Sequence, residues 1–177
     1  MNKNRALLLD RDGVINRDAA YVGAVERFEF MPGLFPFLRA ARDLGYRLAI
    51  LTNQSGVGRG FYGEDDYARV TRHMLRELRR ENIEIELILA CFEHPEGLGF
   101  YARESFWRKP NAGMVLEAVR RLEIDPARSA FLGDALRDMQ AAQAGGIGRC
   151  LWLTDNVRAP EGISIVKDYA EALAKLA

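Results

Sequence analysis

The chain has 177 residues, of which 49% are hydrophobic and 28% charged, with 25 basic and 25 acidic side chains. This is a globular mixture of a size suited to one domain, and it excludes a disordered chain and the broad basic surface of a nucleic-acid binder. Any anionic ligand must therefore be met by local charge. The opening Met-Asn-Lys-Asn-Arg leads into an apolar run too short for a signal-peptide core or a membrane span. A cytoplasmic protein with no membrane or nucleic-acid partner is expected. Cys91 and Cys150 are too far apart in sequence to form a disulfide framework and are expected as free thiols.

Residues 6–9, four apolar residues in a row, read as a buried strand that runs straight into Asp10-Arg11-Asp12-Gly13-Val14. In an extended chain alternate side chains share a face, so Asp10 and Asp12 are expected together with Arg11 turned away. Two carboxylates that close repel, and a divalent cation would relieve them; an ordinary Asp-Gly turn is the alternative reading. Residues 15–31 read as a loop. Leu34, Phe37, Leu38 and Ala41 recur at helical spacing before Gly45, and residues 46–51 form a second strand that ends in a polar loop, Thr52-Asn53-Gln54-Ser55-Gly56. Tyr67, Val70, Met74 and Leu78 line a helix over 64–81, whose Arg/Glu face is solvated and carries His73.

Residues 85–91 form a third strand, and an aromatic-rich loop at 92–107 leads to Arg108-Lys109-Pro110-Asn111. Asn111 is expected to cap a helix marked by Val115, Ala118, Val119 and Leu122. A fourth strand at 129–132 ends in Gly133-Asp134, a helix over 135–144 carries Asp138, strands follow at 147–153 and 163–166, and a last helix starts at 168. Strands alternating with helices specify an α/β fold, a Rossmann-like three-layer sandwich with a central, mainly parallel sheet. Polar residues at the strand C-terminal ends then gather along one edge. Those residues are Asp10, Asp12, Thr52, Asn53, Lys109, Asp134 and Asp138. A phosphate monoester needs positive charge around its oxygens, an in-line nucleophile and a proton for the departing oxygen. Carboxylates holding Mg²⁺, with Lys109 and the Thr52 hydroxyl on the phosphoryl oxygens, meet those needs.

This set, in this order, resembles the haloacid dehalogenase superfamily of phosphohydrolases: Asp10-Arg11-Asp12-Gly13-Val14, Leu51-Thr52-Asn53, Arg108-Lys109-Pro110, and Gly133-Asp134 with Asp138. The resemblance implies an aspartyl-phosphate mechanism with Asp10 as nucleophile and Asp12 as general acid, then base. It places Mg²⁺ between the Asp10 carboxylate, the Asp12 backbone carbonyl and Asp134. Residues 13–45 hold only a loop and one helix, and 92–108 only a loop, so no inserted cap domain is expected. One capless domain over 1–177 acting as a monomer follows. Within the superfamily the same motifs, with Tyr21-Val22, Phe28-Glu29-Phe30 and Gln54-Ser55-Gly56 through Arg59-Gly60, resemble the D-glycero-D-manno-heptose 1,7-bisphosphate 7-phosphatases of surface-polysaccharide synthesis. Histidinol-phosphate phosphatases share the core motifs, and a catalytically silent binding module is the alternative from another class. The heptose resemblance assigns the sugar and its second phosphate to Asp18, Tyr21, Asn53, Gln54, Ser55, Arg59 and Arg108.

There are departures from that pattern. The four slots of the relatives' zinc loop read Cys91, Glu93, Ser105 and Trp107, and Cys91 with His94 supplies two ligands where a structural zinc uses four, so no zinc is expected. Phe92, Phe100, Tyr101, Phe106 and Trp107 are expected to hold that loop by packing or to flank a ligand. Ala135 stands where relatives often carry a basic residue. Gly56-Val57-Gly58-Arg59-Gly60 lacks the spacing of a nucleotide loop and reads as a flexible substrate loop.

Overall fold

The computed structural model describes residues 4–156 and 158–177, so residues 1–3 of the N-terminal reading lie outside it. The six strands are β1 (Ala6–Leu9), β2 (Arg47–Asn53), β3 (Leu87–Cys91), β4 (Ala130–Gly133), β5 (Arg149–Leu153) and β6 (Ile163–Val166). They form one sheet in the order β3-β2-β1-β4-β5-β6, and every pairing is parallel. The helices are α1 (Leu34–Asp43), α2 (Ser55–Gly58), α3 (Glu64–Arg80), α4 (Gly113–Leu122), α5 (Leu136–Ala144) and α6 (Tyr169–Leu176).

The apolar runs of the strands follow from burial on both faces. Leu7 and Leu9 of β1 join a core with Phe37 of α1, Met74 of α3 and Leu176 of α6. Ala6 and Leu8 point the other way, into a second core with Val115 of α4 and Met139 of α5. The chain lays β1, β2 and β3 to one side and then returns beyond β1 with β4, β5 and β6. The order therefore reverses between β1 and β4, and the crevice outside their C-terminal ends is the topological switch point where such sheets bind ligands. The pairing persists to the lip of the crevice, since the Asp10 amide donates to the Leu132 carbonyl at 3.1 Å. Among the described residues no helix is long and apolar enough to cross a membrane.

Several boundaries differ from the sequence reading, most of them for a local reason. β2 continues through Thr52 and Asn53, which pair with Ala90 and Cys91; the ladder satisfies their backbone although their side chains are polar. The edge strand β3 starts two residues later than expected. β4 is shifted by one because the Ser129 hydroxyl takes the Ala6 amide of β1 at 3.0 Å, where a ladder carbonyl would otherwise accept, and donates to the Asp125 carbonyl at 2.7 Å. β5 begins at Arg149, after Gly148, whose backbone sits so close to Ala127 that a Cβ would lie 1.9 Å from its carbonyl oxygen. Asn111 does not cap α4, whose N-cap is Ala112; the Asn111 amide instead donates to the Ser105 carbonyl at 2.9 Å. Ser55–Gly58 is a helical turn with Gly56, Val57 and Gly58 buried, not a flexible loop. A Cβ on Gly58 would stand 2.1 Å from the Phe92 carbonyl oxygen, so the glycine serves close approach of two backbones.

Leu8 is fully buried at the centre of the sheet. Leu8→Ala is expected to cost about 2–5 kcal/mol, read as a lowered denaturation midpoint with an unchanged m-value in urea unfolding.

Candidate active site

The chain leaves β1 in a tight turn. The amides of Val14, Ile15 and Asn16 all donate to the Arg11 carbonyl, at 3.3, 2.7 and 3.1 Å, and the Gly13 amide donates to Asn16. Among the described residues no backbone amide donates to the Asp12 carbonyl, and the turn ends the extended geometry at Asp10. Arg11 is consequently not turned away from Asp12. Its guanidinium folds back onto that carboxylate, with Nη2 2.9 and 3.1 Å from Oδ1 and Oδ2 and Nε 3.2 Å from Oδ1, and the side chain is buried. Gly13 has a φ of 80°, and a Cβ there would lie 2.0 Å from Asp134 Oδ2, so only glycine lets this turn pass beneath Asp134.

Lys109 is the centre of the inner layer. Its buried ammonium lies 2.9 Å from Asp10 Oδ1 and 2.8 Å from Asp138 Oδ1, and it donates to the Leu51 carbonyl at 2.7 Å. It hydrogen-bonds the Leu51 carbonyl and forms an ion pair with each of the two carboxylates, so here it holds Asp10 and Asp138 together. Burial alone would lower the Lys109 pKa; Asp10 and Asp138 outweigh it and hold the group above its ordinary value. Burial raises the Asp10 carboxyl, against the opposing pull of Lys109. Asp10 Oδ1 also accepts from the Arg11 amide at 2.7 Å. Asp138 Oδ2 accepts from the Ala135 amide at 3.0 Å, which ties the start of α5 to the same cluster.

Asp134 follows β4, and its carbonyl is fixed by the Trp152 indole N–H at 2.9 Å. Its Oδ1 is buried without a hydrogen-bond partner, and burial, then Asp138, push its pKa up to about 6. One oxygen each of Asp10, Asp134 and Asp138 lie within 4.8 Å of one another. Four carboxylates here, Asp10, Asp12, Asp134 and Asp138, face two buried cations, Arg11 and Lys109, which leaves a surplus of negative charge. A hard divalent cation with oxygen ligands fits that surplus and the orphaned Asp134 oxygen.

Two residues expected to bind substrate also make contacts within the protein. Asn53 clasps the Lys109 peptide, donating to its carbonyl at 2.9 Å and accepting from its amide at 3.1 Å. Gln54 is buried and donates to Asp12 Oδ2 and Thr52 Oγ1, both at 2.8 Å. The others line the rim. Asp18 Oδ1 accepts from the Ala20 amide at 3.1 Å, and Ala20 and Tyr21 adopt positive φ of 46° and 57°. Arg59 donates to the Tyr21 hydroxyl at 2.8 Å and pairs with Glu96 at 3.2 Å. Ser55 opens α2, half-buried. Arg108 is half-buried with its Nη1 3.5 Å from the Glu93 carbonyl; burial, then the presence of Arg137, lower its pKa.

The loop at 92–107 is held only in part by the aromatic packing expected of it. Phe92 packs on Tyr67 and Tyr101, but Phe100, Phe106 and Trp107 are exposed, and polar bonds do the rest. The Cys91 thiol donates to Glu93 at 3.2 Å, and its pKa is pushed up to about 11, first by burial; Glu93 in turn pairs with Arg103 at 2.9 Å. Cys91 and Cys150 are free and buried. His73 is not simply solvated, since its ring packs edge-on to Phe28 at 5.8 Å. Sequence reasoning missed Tyr62, which donates to Gln54 Oε1 at 2.6 Å, and Trp152. Neither carries a periodic or motif signal, because each acts on a residue brought near only by folding.

A family model described as haloacid dehalogenase-like hydrolase matches residues 2–146. The chain belongs to the haloacid dehalogenase-like hydrolases. Among members of this hydrolase family, a D-glycero-alpha-D-manno-heptose-1,7-bisphosphate 7-phosphatase from Burkholderia mallei is 46% identical over 154 residues, 86% of this chain and 82% of that protein. A D-glycero-beta-D-manno-heptose-1,7-bisphosphate 7-phosphatase from Haemophilus influenzae is 39% identical over 145 residues, 82% of this chain and 77% of its own. The crystal structure of a D,D-heptose 1,7-bisphosphate phosphatase from B. bronchiseptica, complexed with magnesium and phosphate, superposes with a TM-score of 0.84 at 27% identity, covering 97% of each chain.

The raised Asp134 pKa has a consequence for stability. Its contribution is fully present below its unfolded value near 4 and is lost as pH rises through about 6. Metal-free protein is therefore expected to lose about 2–4 kcal/mol between pH 4 and 7 from this group, a loss that Asp134→Asn removes. Urea unfolding of both proteins across that range, with chelator present, measures the difference.

Proposed function

We propose that the protein is an Mg²⁺-dependent phosphatase that removes the 7-phosphate of D-glycero-D-manno-heptose 1,7-bisphosphate, acting as one domain without a cap. The observation that carries the chemistry is the Asp10 carboxylate, held by Lys109 and the Arg11 amide through one oxygen and set beside the unpartnered Asp134. The substrate rests on the relatives' shared specificity and on the half-buried Arg108, whose planar fork suits a second phosphate.

Asp10, the Asp12 carbonyl and Asp134 would hold Mg²⁺, with Asp138 behind them held by Lys109. The ion supplies positive charge that lets an anionic nucleophile approach an anionic ester. An Asp10 oxygen attacks phosphorus as the bond to the sugar oxygen breaks, and Asp12 gives its proton to that oxygen. Water then attacks the aspartyl phosphate, Asp12 takes the water's proton, and the bond to Asp10 breaks to release inorganic phosphate. The Thr52 hydroxyl accepts from Gln54, so its own proton is free to donate to a phosphoryl oxygen.

Phosphate release from heptose 1,7-bisphosphate of each anomer, fructose bisphosphate, histidinol phosphate and simple monophosphates, with and without Mg²⁺, tests this reading. Heptose bisphosphate is expected to lead, in the presence of Mg²⁺. A preference for histidinol phosphate overturns the substrate, and no release from any ester overturns the activity. Asp12→Asn is expected to keep Mg²⁺ binding by calorimetry and to lose about 10²–10⁴-fold in kcat. Near-normal turnover would remove Asp12 from the role.

A further inference from the structure

We infer that Gln54 is a positioning residue for the proton-transferring Asp12, not a contact for the sugar; this rests on the reading of Asp12 as general acid. Its NH₂ lies 2.8 Å from Asp12 Oδ2 and donates to it. The second amide proton goes to Thr52 Oγ1 at 2.8 Å, and the amide oxygen accepts from the Tyr62 hydroxyl at 2.6 Å. Both protons and the carbonyl are therefore occupied, and with 2% exposure the side chain offers nothing to a ligand.

These contacts give Asp12 a fixed setting. Arg11 grips both of its oxygens, Asn16 donates to Oδ1 at 2.9 Å, and Gln54 holds Oδ2 from the opposite chain segment, 42 residues away. Arg11 and Asn16 belong to the same turn as Asp12 and move with it. Gln54 is the link that registers the carboxylate against β2, where Thr52 faces the reacting phosphate. Tyr62 in turn fixes Gln54, and its ring is wedged against two glycines: a Cβ on Gly56 would lie 2.2 Å from the ring, and one on Gly23 2.4 Å. A general acid contributes only when its proton lies on the line to the departing oxygen, so a small displacement here costs rate without costing affinity.

The test compares two esters. The sugar alkoxide needs a proton to leave, whereas p-nitrophenolate leaves without one, and the later hydrolysis of the aspartyl phosphate needs Asp12 as base for both. Gln54→Met keeps the shape and removes the donors. It is expected to lower kcat for heptose bisphosphate about 10–100-fold, a part of the roughly 10²–10⁴-fold that a general acid–base contributes, with KM nearly unchanged. With p-nitrophenyl phosphate, rapid mixing is expected to show a first turnover near the wild-type rate followed by a slowed steady state, a burst absent from the wild type. Tyr62→Phe leaves the ring in place and is expected to show the same pattern more weakly; it decides the matter if Gln54→Met does not fold. A raised KM at constant kcat would make Gln54 a substrate contact, and equal loss of the first turnover on both esters would make it merely structural; either overturns the inference alone. If the wild type hydrolyses neither ester, the phosphatase reading itself falls, and this inference with it.

Discussion

The arrangement depends on one buried ammonium. Lys109 enters from the segment before α4 and joins Asp10 at the end of β1, the Leu51 carbonyl in β2 and Asp138 in α5. Three elements that share no sequence proximity are thereby fixed to one point at the sheet's switch. Such a contact is costly to desolvate, and the two ion pairs and the bond to Leu51 offset that cost. Removing the lysine would leave two buried carboxylates uncompensated. The Asn53 clasp on the Lys109 peptide shows the fold also constraining the backbone that carries the charge.

The two cations of the site divide the acids between them. Lys109 answers Asp10 and Asp138, while Arg11 answers Asp12 and has no ion pair with Asp10. Asp12 thus sits in its own polar setting, with 25% of its side chain exposed, whereas Asp10 and Asp138 are buried. Two aspartates one residue apart acquire different surroundings, which is the physical condition for different roles. Asp134 belongs to neither cation, and it is there that the surplus negative charge and the unpartnered oxygen coincide.

Much of this was legible in the chain. The apolar runs and helical spacings define the alternation of elements, and the rule that ligands gather at strand C-termini brings Asp10, Thr52, Lys109 and Asp134 together before any coordinates are known. What failed did so where local patterns compete with long-range contacts. Alternation placed Arg11 opposite Asp12, but the strand ends at Asp10 and the turn folds the guanidinium back. Polarity made Gln54 look available to a ligand, yet contacts with Asp12, Thr52 and Tyr62 occupy its amide. Glycines at 56 and 58 resembled a flexible stretch, but they are buried because another backbone and a tyrosine ring press against them. A short polar side chain reads alike whether it faces water, substrate or a buried carboxylate, and only the three-dimensional partner separates the cases.

The site consequently has two shells with different tolerance for change. The inner one, with Asp10, Lys109, Asp138 and Gln54, is buried and cross-linked by short polar contacts, so a substitution there disturbs several partners together. The rim is built from residues that retain exposure: Tyr21 at 40%, Phe61 at 54% and Trp107 at 43%. The rim is nonetheless cross-linked, because Arg59 spans from the Tyr21 hydroxyl to Glu96 and stacks over the Phe61 ring at 5.0 Å. Such surface contacts are individually weak, so rim side chains can be exchanged at small cost in stability. Chemistry is thereby fixed in a buried interior, and the rim can change without disturbing it. In this chain that division also allows the loop at 92–107 to be held by Cys91, Glu93 and Arg103 while the reacting groups keep their places.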